Sequence, residues 1–177
     1  YSGLLENGTG AIIAERLVLT AGHVMDGTSS GAAFFHDRPG CIRKYLSVTT
    51  ATTTYEPQDG LDFSLVIVGC HGDFGTPSEA FGRLYLRLWI LNRGQRAALL
   101  GHVGGDALRV FIRDIQSGRA HCTHGGYKCI HFGNDEDAGR DDAEGGWEGA
   151  SGGPLLDMDG AVRGIMMQAH ELTRFGN

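Results

Sequence analysis

Three short stretches hold side chains that could attack a carbonyl or carry a proton. "LVLTAGHV" (17–24) ends on small residues and His23, "GLDFSLVIV" (60–68) sets Asp62 at the mouth of an apolar run, and "EGASGGPLLD" (148–157) isolates Ser151 among glycines. A serine hydroxyl is a weak nucleophile at neutral pH and needs an adjacent base; an imidazole serves because its pKa lies near working pH. A carboxylate on the far side of the ring fixes its tautomer and stabilises the imidazolium that forms. Such a set performs acyl transfer through a covalent intermediate. Each residue alone also has an ordinary explanation: a core or surface histidine, an aspartate that ends a strand, a Ser-Gly-Gly-Pro turn. Asp59, three positions before Asp62, competes for the acid, but Leu65 and Ile67 run on directly from Asp62 and favour it.

Residues at 23, 62 and 151 must be brought together by the fold, and the chain between them reads as strands. Short β-branched or alternating runs recur, punctuated by Gly, Asp-Gly or Pro, while helical periodicity is hard to find. The expected strands are Gly10–Ala14, Leu17–Thr20, Ala32–His36, Tyr45–Thr53, Phe63–Val68, Arg83–Leu91, Ala97–Leu100, Ala107–Ile115, Tyr127–Phe132, Pro154–Asp157 and Val162–Gln168. They form two groups, split at the loop-like "GCHGDFGTPSEAFG" (69–82). Closing each group into a barrel removes exposed sheet edges, and two barrels leave a groove in which a site can form. The expected fold is therefore all-β, with one lobe over 1–75 carrying His23 and Asp62 and a second over 76–177 carrying Ser151. No internal sequence repeat accompanies the division.

Composition narrows the function classes. The 177 residues are 41% hydrophobic and 20% charged, an ordinary globular balance. A net charge of −6 argues against a nucleic-acid partner held by phosphate neutralisation. The 29 glycines suit tight turns between short strands. No apolar run reaches the roughly 18 residues of a membrane span, so no membrane partner is expected. The chain starts at Tyr1, as a processed product or excised domain would. Four cysteines (Cys41, Cys70, Cys122, Cys129) do not require an oxidising compartment. "NDEDAGRDDAEGG" (134–146), six acids against one arginine, reads as a solvated loop.

Together the three stretches resemble the trypsin/chymotrypsin-like serine proteases, in which T-A-[AG]-H, D-[IF]-[AS]-L and G-x-S-G-G-P motifs occur in the order His, Asp, Ser. The resemblance runs from "GTGAII" (8–13) to "GIMMQA" (164–169). It implies two antiparallel six-stranded barrels and an endopeptidase in which Ser151 attacks, His23 shuttles the proton and Asp62 orients His23. The backbone N–H groups of Gly149 and Ser151 would form the oxyanion hole, and the chemistry needs no cofactor. The G-x-S-x-G elbow of the α/β-hydrolases also fits 149–153. In that fold the acid and histidine follow the serine, whereas only 26 residues follow Ser151 and no βα alternation precedes it. The runner-up is a proteolytically inactive protease-like binding or scaffold module. A self-processing viral protease would share the chemistry.

Two departures from the trypsin branch stand out. Ala150 occupies the position usually held by an aspartate that pairs with a freshly cut N-terminus, and Val24 stands where a cysteine commonly follows the histidine. Both look more like Deg/HtrA-type or viral members. Something else must then order residues 133–150: substrate, an oligomer, a regulatory partner or a flanking domain, with the acidic loop as a regulatory element. By the family pattern Gly145 lies near the pocket floor and Met167, Gln168 and Ala169 form the strand edge that pairs with a polypeptide substrate. Ala169 in place of a neck glycine points to small or medium apolar side chains, while Glu144 and Glu148 leave a cationic preference open.

"HCTHGGYKCIHF" (121–132) gathers zinc-ligand residue types, with Cys122, His124, Cys129 and His131 as the candidates. Paired C-x-x-C spacing is absent. A hairpin turning at Gly125-Gly126, stapled by Cys122 and Cys129, explains the segment without metal.

Overall fold

The computed structural model describes residues 2–5, 8–25, 32–38, 41–56, 61–70, 72–73, 75–102, 108–120, 129–132, 149–168 and 171–174. Within them lie β1 (Ser2–Leu5), β2 (Gly8–Ile12), β3 (Leu17–Thr20), α1 (Gly22–Met25), β4 (Ala32–Arg38), β5 (Cys41–Glu56) and β6 (Leu61–Val68). After α2 (Pro77–Phe81) come β7 (Arg96–Gly101), β8 (Arg109–Ala120), β9 (Cys129–Phe132), β10 (Pro154–Asp157), β11 (Val162–Gln168) and β12 (Glu171–Arg174).

Strands β1–β6 close into one barrel in the order 1-2-3-6-5-4, and β7–β12 into a second in the order 7-8-9-12-11-10. All pairings within the barrels are antiparallel. The strand order is the same in both halves although the sequence carries no repeat. Pairing order depends on which backbone edges meet, and many side-chain sets satisfy it.

The apolar character of β6 comes from burial on two sides. Asp62, Ser64, Val66 and Val68 alternate as fully buried residues. Val66 and Val68 join Ile12, Val18, Ala21, Val24 and Met25 in the first barrel's core. The opposite phase, Phe63 and Leu65, packs with Leu19 of β3 and with Leu156, Val162 and Ile165 of the second barrel. That cluster is the seam between the barrels. The second barrel's core is built on Leu99, Ile115, Ile130, Phe132, Leu155 and Met166.

Several expectations are corrected. Arg83–Leu91 is not a ladder strand. It is a connector, tied by Leu84 N–H to Ile12 O (2.8 Å), by Val162 N–H to Tyr85 O (2.7 Å) and by Arg87 N–H to Val162 O (3.0 Å). Among the described residues its only ladder contact is an isolated parallel bridge, Leu86 to Val162, and most of its side chains face solvent. Its alternation records a path over the surface between barrels. Strands β1 and β12 lie outside the eleven expected segments. Each is a four-residue piece with a weak pattern, recruited because its edge completes a barrel: β1 against β2 and β4, β12 against β11 and β9. Within the expected loop 69–82, "TPSEAF" instead turns into α2. Thr76 caps it by accepting from Glu79 N–H, while the Glu79 carboxylate accepts from Thr76 N–H at 2.8 Å, with Pro77 in the first turn.

Candidate functional site

His23 lies in α1, the single turn that follows β3, and Asp62 is the second residue of β6. Because β3 and β6 are paired, Thr20 opposite Ser64, the turn leaving β3 passes the start of β6. There Asp62 grips His23 twice. Its Oδ1 accepts the His23 backbone N–H at 2.8 Å, and its Oδ2 lies 2.6 Å from the ring Nδ1. A carboxylate accepts, so Nδ1 bears the hydrogen that faces Asp62, and in the neutral ring Nε2 is the base position. Asp62 is fully buried, whereas 31% of the His23 side chain reaches solvent. A fixed acid thus holds a ring that a substrate can approach. Asp59 lies outside the described residues.

Ser151 stands half-buried in the turn leading into β10. Gly149 and Gly152 on either side of Ala150-Ser151 have φ of 86° and 80°, backbone that favours glycine. Gly152 has a second constraint. A Cβ there would collide with the Thr20 hydroxyl and the Thr9 carbonyl, and would stand 2.7 Å from the backbone nitrogen of Ala21. The residue after Ser151 therefore lies against the backbone that leads into His23. Gly8 reports the same closeness: both Ser151 O and the Val24 side chain lie 2.7 Å from where its Cβ would be. The Ser151 carbonyl and the Val24 side chain, next to His23, thus both crowd Gly8.

Backbone bonds fix the serine turn. Thr9 N–H donates to Ser151 O and Gly152 N–H to Met166 O, both at 2.7 Å, while Gly153 N–H donates to Ala150 O and Met166 N–H to Gly153 O, both at 2.8 Å. The Thr9 hydroxyl adds a bond to Gly149 O at 2.8 Å. Thr9 lies outside the three motifs, although one polar residue in the otherwise glycine and apolar "GTGAI" is a signal that it has a buried partner. Ala150 is also accounted for. It is fully buried with Leu99 and Leu155, and its Cβ is 2.7 Å from where a Cβ on Gly101 would stand. That space is too small for a longer side chain.

Of the expected specificity residues, Met167 is buried against Cys129, and Gln168 pairs with Glu171 of β12 after a register shift. Gly145 and Ala169 lie outside the described residues, as do Glu144, Glu148 and the acidic segment. Among the zinc candidates, Cys129 is in a disulfide and so offers no thiolate, His131 is half-buried on β9, and Cys122 and His124 lie outside the described residues. A cavity of about 290 Å³ opens at the β10–β11 turn, lined by Arg87, Arg96, Arg163 and Asp157 among others, and none of the candidate site residues faces it. There burial holds the Arg163 guanidinium below its ordinary pKa against the pull of Asp157. Asp159 first and Asp157 second raise that of Arg87.

Likenesses to known proteins give the family and the fold. A family model described as a trypsin-like peptidase domain matches residues 8–165. No curated protein matches the chain in sequence. Among solved structures, the protease Rv3671c in its inactive form superposes with a TM-score of 0.62 at 19% identity, covering 99% of this chain and 82% of that one. A serine-to-alanine mutant of Rv3671c from M. tuberculosis H37Rv, also in the inactive form, gives 0.62 at 18%, over 99% and 80%. Deg5 gives 0.65 at 16% identity, covering 98% of this chain and 82% of that one. The structural likenesses establish the shared fold. With the family match spanning nearly the whole of both barrels, the chain belongs to the trypsin-like peptidase domain family.

Proposed function

We propose that the domain is a serine endopeptidase that cleaves polypeptides through an acyl-enzyme, with lobes 1–75 and 76–177 contributing His23 and Asp62 from one side and Ser151 from the other. In this reaction Nε2 of His23 takes the Ser151 hydroxyl proton as Oγ bonds to the scissile carbonyl carbon. The Gly149 and Ser151 N–H groups receive the oxygen on which negative charge develops. The tetrahedral adduct collapses as His23 passes the proton to the leaving amine, and a water activated by the same ring then releases the acid product and restores Ser151. Asp62 holds the ring in register and stabilises the imidazolium in both halves.

The observation that carries this reading is the double grip of the buried Asp62 on His23, 2.8 Å to the backbone and 2.6 Å to the ring. A structural histidine needs no such double orientation from a fully buried carboxylate. A fluorophosphonate probe tests it. We expect stoichiometric labelling of the wild type at Ser151 and none of S151A. Folded wild type that stays unlabelled would sink the proposal in favour of a binding or scaffold module.

A further inference from the structure

Resting on that reading of Ser151, we propose that the hydroxyl of Thr9 is a positioning group that couples the two barrels and sets the Gly149–Gly152 turn for catalysis. Thr9 is fully buried. Its backbone N–H donates to Ser151 O at 2.7 Å and its Oγ1 to Gly149 O at 2.8 Å. The same Oγ1 accepts the His102 backbone N–H at 2.9 Å, and the Thr9 carbonyl accepts the Thr20 hydroxyl at 2.7 Å. One side chain on the first barrel thus binds both the serine turn and the residue that follows β7 in the second.

The arrangement acts on peptide planes. A peptide unit is rigid, so fixing a carbonyl's direction fixes the N–H of the next residue. Thr9 holds the Gly149 and Ser151 carbonyls, and with them the planes that carry Ala150 N–H and Gly152 N–H. The plane between them carries Ser151 N–H, one of the two proposed oxyanion donors, and is held by the Gly153 N–H to Ala150 O bond. Three consecutive planes are thereby locked, two of them from residue 9. The outer two differ in what they require. Any residue but proline at position 9 could donate its N–H to Ser151 O, but only a hydroxyl of this reach can donate to Gly149 O while accepting from His102. Without it, the half-buried Gly149 carbonyl and the buried His102 N–H each lose a partner, and such groups turn towards new ones. The turn beside the nucleophile would then relax. Oxyanion donors act only when prealigned, so the loss falls on the transition state rather than on substrate binding.

The isosteric T9V removes the hydroxyl and keeps the volume. We expect it to lower kcat for a peptide substrate, and the rate of fluorophosphonate labelling, by about 10–100-fold with KM changed less than about threefold, as for loss of donor alignment. T9S should restore kcat to within about threefold of wild type, because it keeps the donor and acceptor. T20V is the structural control. It deletes a buried hydroxyl bond of the same kind (to Thr9 O) but no bond to the turn, so it should lower Tm while leaving kcat near wild type. Should T9V not fold, T9C replaces it: a thiol is a weak donor, and kcat should fall clearly below that of T9S. A folded T9V that is labelled as fast as wild type, or a kcat loss equal in T9V and T20V, overturns the inference. A wild type that reacts with no probe instead removes the nucleophile assignment itself, and the inference with it.

Discussion

The two arms of the candidate site are held in different ways. His23 and Asp62 belong to one barrel, sit on neighbouring elements and are joined by side-chain chemistry, a carboxylate on an imidazole at 2.6 Å. The Ser151 turn belongs to the other barrel and is held through main-chain atoms: Thr9 to Ser151, Gly152 to Met166, Gly153 to Ala150. The first arm depends on residue identity at two positions. The second depends on small residues that let backbones approach, and on one hydroxyl 140 positions away from the carbonyl it binds. Substitutions should therefore damage the arms in distinguishable ways, the first losing chemistry on an intact fold, the second losing chemistry and stability together.

D62N is the sharpest break of the first arm. The amide still accepts the His23 backbone N–H, but its NH₂ presents a donor to Nδ1 and favours the wrong tautomer, so activity at neutral pH should fall about 10³–10⁴-fold. Tm should move little, and steady-state kinetics beside a thermal melt would reveal any departure. The second arm is probed by G152A. At φ 80°, with Thr20 Oγ1, Thr9 O and Ala21 N crowding the new Cβ, it should destabilise by about 2–4 kcal/mol through backbone strain and overpacking. Activity should fall with it, and a G152A melt superimposable on wild type would erase the distinction between the arms.

The smallest effect belongs to a region outside both. The Thr76 backbone N–H and then the Thr76 hydroxyl hold the Glu79 carboxyl below its ordinary value of 4.5. A carboxyl depressed on folding contributes stability above its unfolded pKa and loses it as pH falls through the folded value. E79A should therefore lower Tm slightly at pH 7, and the difference should shrink towards zero as the pH drops well below 4.5. An E79A deficit that persists undiminished in acid would mean that the α2 cap does not act through this charge.

The all-β strand content was legible because alternating apolar residues and glycine punctuation are local signals. Leu17–Thr20, Pro154–Asp157 and Val162–Gln168 appear as expected, with the termini of the other matched strands displaced. The strands β1 and β12 were not legible, since a four-residue segment becomes a strand only when a partner edge is present. Arg83–Leu91 misled for the converse reason. Alternation alone does not make a ladder strand: Leu86 and Leu88 of the apolar phase are exposed, like Tyr85 and Trp89 of the other. The cap of α2 was readable in "TPSE" but was submerged in a glycine-rich loop.

His23, Asp62 and Ser151 stood out from their neighbours because nucleophilic chemistry requires particular functional groups, and those are written in residue type. What tertiary structure alone decided is how the backbone of the serine turn is held: Thr9 N–H on Ser151 O, Gly152 N–H on Met166 O and Gly153 N–H on Ala150 O are bonds that main-chain atoms make whatever their side chains. Backbone donors and acceptors are the same at every residue, so their pairing across a seam leaves almost no mark on the chain. Only the space they leave, as at Gly152 and Ala150, is recorded in the amino acids.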